Sequence, residues 1–248
     1  MMSELQPVYG LHAVRALLTR DPSRVRRLCL QRGRDDPRSR EVEQLAQRAG
    51  LKPERLDAEQ IKRWVGDVVH QGVVAQVEPL KAWIEEDLID ALAGRKDPIV
   101  LVLDSVTDPH NLGACLRSAD ACGAVAVVVP KDRAAGLNAT VRKVAAGAAE
   151  TTPVVTVTNL VRTLKLLQDA GLWVVGAAGE GDKAAHEVDL KGPVALVLGA
   201  EGTGLRELTR KTCDVLVRLP QLGSVESLNV SVATGMLLYE AVRQRLKP

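Results

Sequence analysis

Three short stretches hold most of the side chains able to do chemistry. DPHNLGACLRSADACGA carries Asp108, His110, Asn111 and Arg117, a polar turn followed by an arginine set among small residues. LGAEGTGLREL places Glu201 between Gly199, Gly202 and Gly204, where missing side chains let backbone approach a ligand closely. LPQLGSVESLNVSVATGMLLYEAV crowds Ser224, Ser227, Asn229 and Ser231 into the start of a helical pattern. Arginine suits phosphate or carboxylate recognition, and a glycine loop suits a bound small molecule. The glycine order G-x-x-G-x-G is not the dinucleotide fingerprint G-x-G-x-x-G, and no G-K-[ST] follows, so nicotinamide and ATP chemistry lose their main support.

Spacing constrains how these groups combine. Asn111 and Arg117 are six residues apart, so on one helix they point about 120° from each other. Cooperation between them predicts Asn111 off the helix as its N-cap, with Arg117 in the second turn; the plain alternative is a cap and a surface charge. Glu201 fits either a helix N-terminus or an arginine partner. In the third stretch Ser224 or Ser227 is expected to cap the helix, and Leu228, Val232, Met236 and Tyr239 recur at helical spacing as a core face. Asn229, one turn in, then needs a partner of its own.

The elements that must hold these stretches are legible as apolar runs. IVLVL (99–103), VAVVV (125–129), WVVGAA (173–178), VALVL (194–198) and VLVRL (215–219) are almost continuously apolar and separated by helical segments. That is the pattern of an α/β fold with a parallel sheet covered on both faces, whose ligands sit beyond the carboxyl ends of the strands. All three chemical stretches follow such a run. Residues 1–80 alternate helix and strand signals as a small α/β domain, residues 81–97 read as a linker with one amphipathic helix, and 98–248 form the larger domain.

Composition sets the outer limits. With 248 residues, 46% hydrophobic and 26% charged, the chain is a globular protein with room for a large core. No apolar run approaches membrane-spanning length, and the first ten residues lack the features of a signal peptide, which predicts a cytoplasmic protein with no membrane partner. Cys29, Cys115, Cys122 and Cys213 are scattered without metal-ligand spacing, so they read as reduced fillers and no metal site is expected. Residues 1–80 hold 14 Lys and Arg against 11 Asp and Glu, with Arg24, Arg26, Arg27, Arg32, Arg34, Arg38 and Arg40 close together. This is a surface suited to phosphates, and so few aromatic residues argue against base-stacking platforms.

Taken in order, DPHNLGACLRSADACGA, LGAEGTGL and LPQLGSVESLNVSVATG resemble the three motifs of the SpoU-type RNA ribose 2'-O-methyltransferases of the SPOUT superfamily. VYGLHAVRALL and HQGVVAQV resemble the substrate-binding domain of its bacterial branch acting on a guanosine of 23S rRNA. The resemblance implies a parallel sheet with a C-terminal trefoil knot, a ribosomal-protein-like N-terminal RNA-binding domain, and a homodimer with active sites at the subunit interface. It implies S-adenosylmethionine as methyl donor, held by backbone at Gly199, Leu219 and Leu228. Its catalytic set maps onto Asn111, Arg117, Glu201, Ser227 and Asn229.

Within that resemblance, Arg117 is either the base or, since guanidinium groups stay protonated, the grip on the phosphate beside the target ribose. In the second case that phosphate or a water takes the proton, Glu201 and Asn111 orient Arg117 and its loop, and Ser227 and Asn229 hold the substrate or the motif. The tRNA branch of the family and a catalytically silent RNA-binding assembly factor are the competing expectations.

Overall fold

A computed structural model describes residues 5–80, 82–225 and 227–246. They form two compact units, one built from the first 81 residues with 146–151, the other from 82–145 with 152 onward.

In the first unit a four-stranded sheet of order β1-β4-β2-β3 is made by β1 (Gln6–Tyr9), β2 (Val25–Gln31), β3 (Glu54–Leu56) and β4 (Val73–Val77). Side-chain alternation splits its two faces. Leu28, Leu30, Val73 and Ala75 pack with Val14 and Leu17 of α1 (Leu11–Arg20) and Val42 of α2 (Pro37–Arg48). Cys29 and Val74 face Ile61 of α3 (Ala58–Val65). Asp36 starts α2 by accepting from Arg38 N and Ser39 N, and the Arg34 guanidinium beside it holds its carboxyl down at about 2. Asp57 and Gln60 form a capping box at α3.

The arginines of this unit are less free than the sequence suggests. Arg24 is buried, its Nε donating to Glu78 O at 2.9 Å and its Nη2 to Glu150 at 3.1 Å, so it is closed to phosphate. Arg26, Arg27, Arg34 and Arg40 are paired with Glu78, Glu54, Asp36 and Asp35, and Arg27 also lies 4.5 Å over Trp64. Among the described residues the Arg38 guanidinium has no partner, although its backbone N–H donates to Asp36. Exposed ion pairs of this kind contribute only about 0–1 kcal/mol each, so a polyanion can compete for them.

The second unit is a seven-stranded sheet of order β7-β6-β5-β10-β8-β11-β9, every adjacent pair parallel. Its elements are α4 (Glu85–Leu92), β5 (Ile99–Asp104), α5 (Pro109–Ala121), β6 (Ala126–Pro130), α6 (Ala139–Val144), β7 (Val154–Val157), α7 (Leu160–Asp169), β8 (Trp173–Ala177), β9 (Lys183–Ala184), β10 (Val194–Gly199), α8 (Glu207–Thr212), β11 (Val215–Arg218) and α9 (Val230–Arg245). The apolar runs are therefore the parallel strands they were expected to be. β5 and β10 are buried on both faces. Val100, Val102, Ala195 and Val197 pack with Leu88 and Leu92 of α4 and Leu160 and Leu164 of α7. Leu101, Leu103 and Leu196 are equally buried on the opposite face, and α9 packs on both β10 and α5.

Two strands, β7 and β9, had no counterpart in the sequence reading. Both are short, and they form the two edges of the sheet. The amphipathic helix expected within residues 81–97 is α4, and its Leu88 and Leu92 pack into the core of the second unit. Among the described residues no helix is long and apolar enough to cross a membrane.

Candidate active site and methyl-donor cavity

The loops after β5, β10 and β11 converge at one end of the sheet. α5 starts where Asp108 accepts from His110 N and Asn111 N at 3.1 and 3.3 Å, with Pro109 at the first helical position. This corrects the expectation that Asn111 is the cap: it lies inside the first turn, and Arg117 projects from the same helix about 120° away. Arg117 is exposed and bonds to no described residue.

At α9 the cap is Asn229, not Ser224 or Ser227. Asn229 Oδ1 accepts from Ser231 N at 2.9 Å and Val232 N at 3.4 Å. Its place outside the helix, rather than one turn in, explains why asparagine is tolerated there.

Glu201 joins the two helix starts. Its Oε1 accepts from Asn111 Nδ2 at 3.3 Å, from Asn229 Nδ2 and from Val230 N at 3.2 Å, while Asn229 Nδ2 also donates to Asn111 Oδ1 at 2.9 Å. The carboxylate thus meets the N-terminus of α9, where both a free N–H and the helix dipole favour it. Of the two sequence alternatives for Glu201, the helix terminus is the one realised. Among the described residues, neither Asn111 nor Glu201 hydrogen-bonds to Arg117.

Next to this hub lies a cavity of about 360 Å³, bordered by Gly199, Glu201, Leu219, Ser227 and Leu228. All three residues expected to hold the methyl donor line it, as do two of the five in the catalytic set. Its floor depends on glycine. A Cβ at Gly199 would overlap the backbone of Gly204 and Leu205. Gly202 and Gly204 both have positive φ, so the loop between them turns as few other residues could. Arg210, also on the lining, pairs with Glu180. The Gly199→Ala variant is expected to lose S-adenosylmethionine binding in calorimetry while unit 1 keeps its fold; unchanged affinity would mean the loop relaxes without closing the cavity.

Asp104, which the sequence groups with the polar loop around Asp108 and Asn111 without a role of its own, is instead the wholly buried end of β5. Sequence reasoning also misplaced the apolar side of α9. Val232, Met236 and Tyr239 are 50, 47 and 61% exposed, and the helix buries Val230, Thr234, Leu237, Leu238 and Ala241 instead.

Residues 98–239 match the model of the SpoU rRNA Methylase family. The chain belongs to the SpoU methylase family. Residues 7–83 of this SpoU methylase match a second model, RNA 2'-O ribose methyltransferase substrate binding. The chain is 56% identical over 246 residues to the 23S rRNA (guanosine-2'-O-)-methyltransferase RlmB of Pseudomonas aeruginosa, covering 98% of each chain. It is 50% identical to the RlmB of Escherichia coli K12, over 98% of this chain and all of that one. Among solved structures it resembles the SpoU methyltransferase AviRb of Streptomyces viridochromogenes in complex with AdoMet, at TM-score 0.77 and 28% identity, over 97% of this SpoU methylase and 90% of AviRb. The A. aeolicus TrmH/SpoU tRNA modifying enzyme matches at TM-score 0.55 and 31% identity, over 65% of the chain and 82% of that protein.

Proposed function

We propose that this chain transfers the methyl group of S-adenosylmethionine to the ribose 2'-oxygen of a guanosine in 23S rRNA. One observation carries the reading: the glycine-floored cavity opens beside the Glu201–Asn111–Asn229 hub, in a chain similar end to end to enzymes named for that reaction. The 2'-oxygen attacks the methyl carbon, the carbon–sulfur bond breaks, and S-adenosylhomocysteine leaves. Attack needs the oxygen in line with that bond and its proton removed.

Gly199, Leu219 and Leu228 hold the donor through backbone groups, and Ser227 beside them faces the same space. Arg117 grips the phosphate next to the target ribose, and that phosphate or a water accepts the proton. The N-terminal unit, with its layer of paired arginines around the loop after β2, positions the RNA by its phosphates. The enzyme works in the cytoplasm. The trefoil knot belongs to the same reading, and the return of α9 over β10 to α5 is compatible with it.

The working form is a homodimer. Two features support it: the apolar stripe Val232, Met236 and Tyr239 left in solvent on α9, and an Arg117 that does not line the cavity of its own chain. α5 packs on α9, so a partner seated on that stripe lies close to Arg117 and completes the site from outside. Met236→Asp with Tyr239→Arg is expected to yield monomers in sedimentation and to lose methyl transfer; a dimer that persists would place the interface elsewhere.

Mapping ribose methyls in 23S rRNA from cells lacking the protein, then restoring the missing one with purified enzyme and labelled donor, tests the function. Loss and recovery of one guanosine methyl is expected. Labelling of tRNA instead would move the enzyme to the tRNA branch, and no labelling of any RNA would leave a silent assembly factor.

A further inference from the structure

Asp104 closes β5, and its side chain is entirely buried. A carboxylate stripped of water must be matched by donors. Oδ2 accepts from Arg206 N at 3.0 Å, and Oδ1 accepts from Arg206 Nε at 2.6 Å and Ser105 Oγ at 3.1 Å. Backbone and side chain of Arg206 are therefore fixed together by one group.

Arg206 directly follows the glycine loop, and Asp104 sits in register with Gly199 where that loop begins. The loop is thus pinned at both ends, on neighbouring strands and at one level. At its start, the absent Cβ of Gly199 lets Gly204 and Leu205 lie against the strand; at its end, Asp104 grips the next residue. Between the pins, Gly202 and Gly204 have positive φ, and the backbone is tied by Thr203 N to Glu201 O and Gly204 N to Ala200 O, both 2.9 Å. A segment so rich in glycine has many alternatives open to it once an anchor is lost.

We infer that Asp104 is a positioning residue for S-adenosylmethionine binding, acting through Arg206 to hold residues 200–205 in the conformation that forms the donor cavity. The inference rests on the reading of that cavity given above. If only a fraction of molecules has the loop in place, apparent affinity falls by that fraction, whereas the methyl-transfer step in a loaded enzyme does not change. Asp104 therefore acts on donor affinity and leaves turnover at saturation alone, a split that general loss of stability would not produce.

The test uses the full-length protein, with Kd for S-adenosylmethionine from calorimetry without RNA, and kcat and KM from transfer to 23S rRNA. For Asp104→Asn, Kd and KM for the donor are expected to rise about tenfold or more, with kcat at saturation within about threefold. Arg206→Lys keeps the charge without Nε and is expected to fall between wild type and Asp104→Asn. Should Asp104→Asn not fold, Arg206→Ala, cut from the partly exposed side of the pair, must show the same KM shift. An unchanged Kd in the folded variants, or kcat falling while Kd holds, overturns the inference. Ala178→Phe, which fills the cavity, separates the two readings. If it leaves donor affinity intact, the cavity assignment fails; if it abolishes binding while the Asp104 and Arg206 variants bind normally, the cavity stands and the positioning role falls.

Discussion

Replacing Arg117 with alanine is expected to lower methyl transfer by about 10²- to 10⁴-fold, the range for losing a group that acts in the transition state. Donor affinity should hold, because Arg117 does not line the cavity. Stability should hold too: the side chain is exposed and bonds to no described residue, and such surface changes usually stay within about 0.5 kcal/mol. Arg117→Lys separates the two roles. A point charge without the planar fork still attracts a phosphate, so about tenfold loss with an unchanged pH profile marks the phosphate grip. A profile moved toward the range where lysine titrates marks the base. Near-normal turnover in both variants removes Arg117 from the mechanism altogether.

The second large effect is expected at Glu201. One carboxylate oxygen serves three donors, so Glu201→Ala strips the acceptor from Asn111, Asn229 and the first N–H of α9 together. The hub is open to solvent, and water replaces much of what is lost, which keeps the stability change modest. Geometry is another matter. Through Glu201 the two asparagines tie the first turn of α5 to the cap of α9, so their release is expected to cost about 100-fold in kcat/KM, as ångström-scale misplacement does. Glu201→Gln retains one acceptor oxygen but loses the charge facing the N-terminus of α9, and should recover most of the melting temperature but only part of the activity. Equal activity for Ala and Gln would show that the hub is a helix cap and nothing more.

How far the sequence could be read depended on what each segment had to decide. β5 and β10 were legible because burial on both faces demands unbroken apolar runs, and IVLVLD and VALVLG leave little alternative. β9, two residues long, and β7, behind Thr152 and Pro153, carry no such run. α9 defeated periodicity for a different reason. VSVATGMLLYEAV is apolar on most of its circumference, so spacing alone could not say that Val230, Leu237 and Leu238 face inward and Val232, Met236 and Tyr239 outward.

The caps show the same limit at finer scale. Ser224, Ser227, Asn229 and Ser231 all present an oxygen near the start of α9, and only the backbone turn at Asn229 selects among them. At α5 the spacing to Arg117 pointed to Asn111 as the cap, whereas Pro109 at the first helical position puts the cap at Asp108. The composition of the site was therefore visible, and its wiring was not: nothing local to Glu201 records that its partners lie at 111 and 229.

The position of β10 in the sheet bears on how the protein is made. β5 ends at Asp104, yet the strand that covers its open edge ends at Gly199, and the helix that seals the other face follows still later. While the ribosome is adding the residues between, an apolar strand with an unpaired edge has to wait, an arrangement that slows folding and invites aggregation. The strand that finally fills the gap is also the one that leads into the glycine loop. Closing of the sheet and placement of the first wall of the cavity therefore go together, with Leu219 and Leu228 adding the rest later, so a nascent or truncated chain lacking that strand is expected to sequester no S-adenosylmethionine.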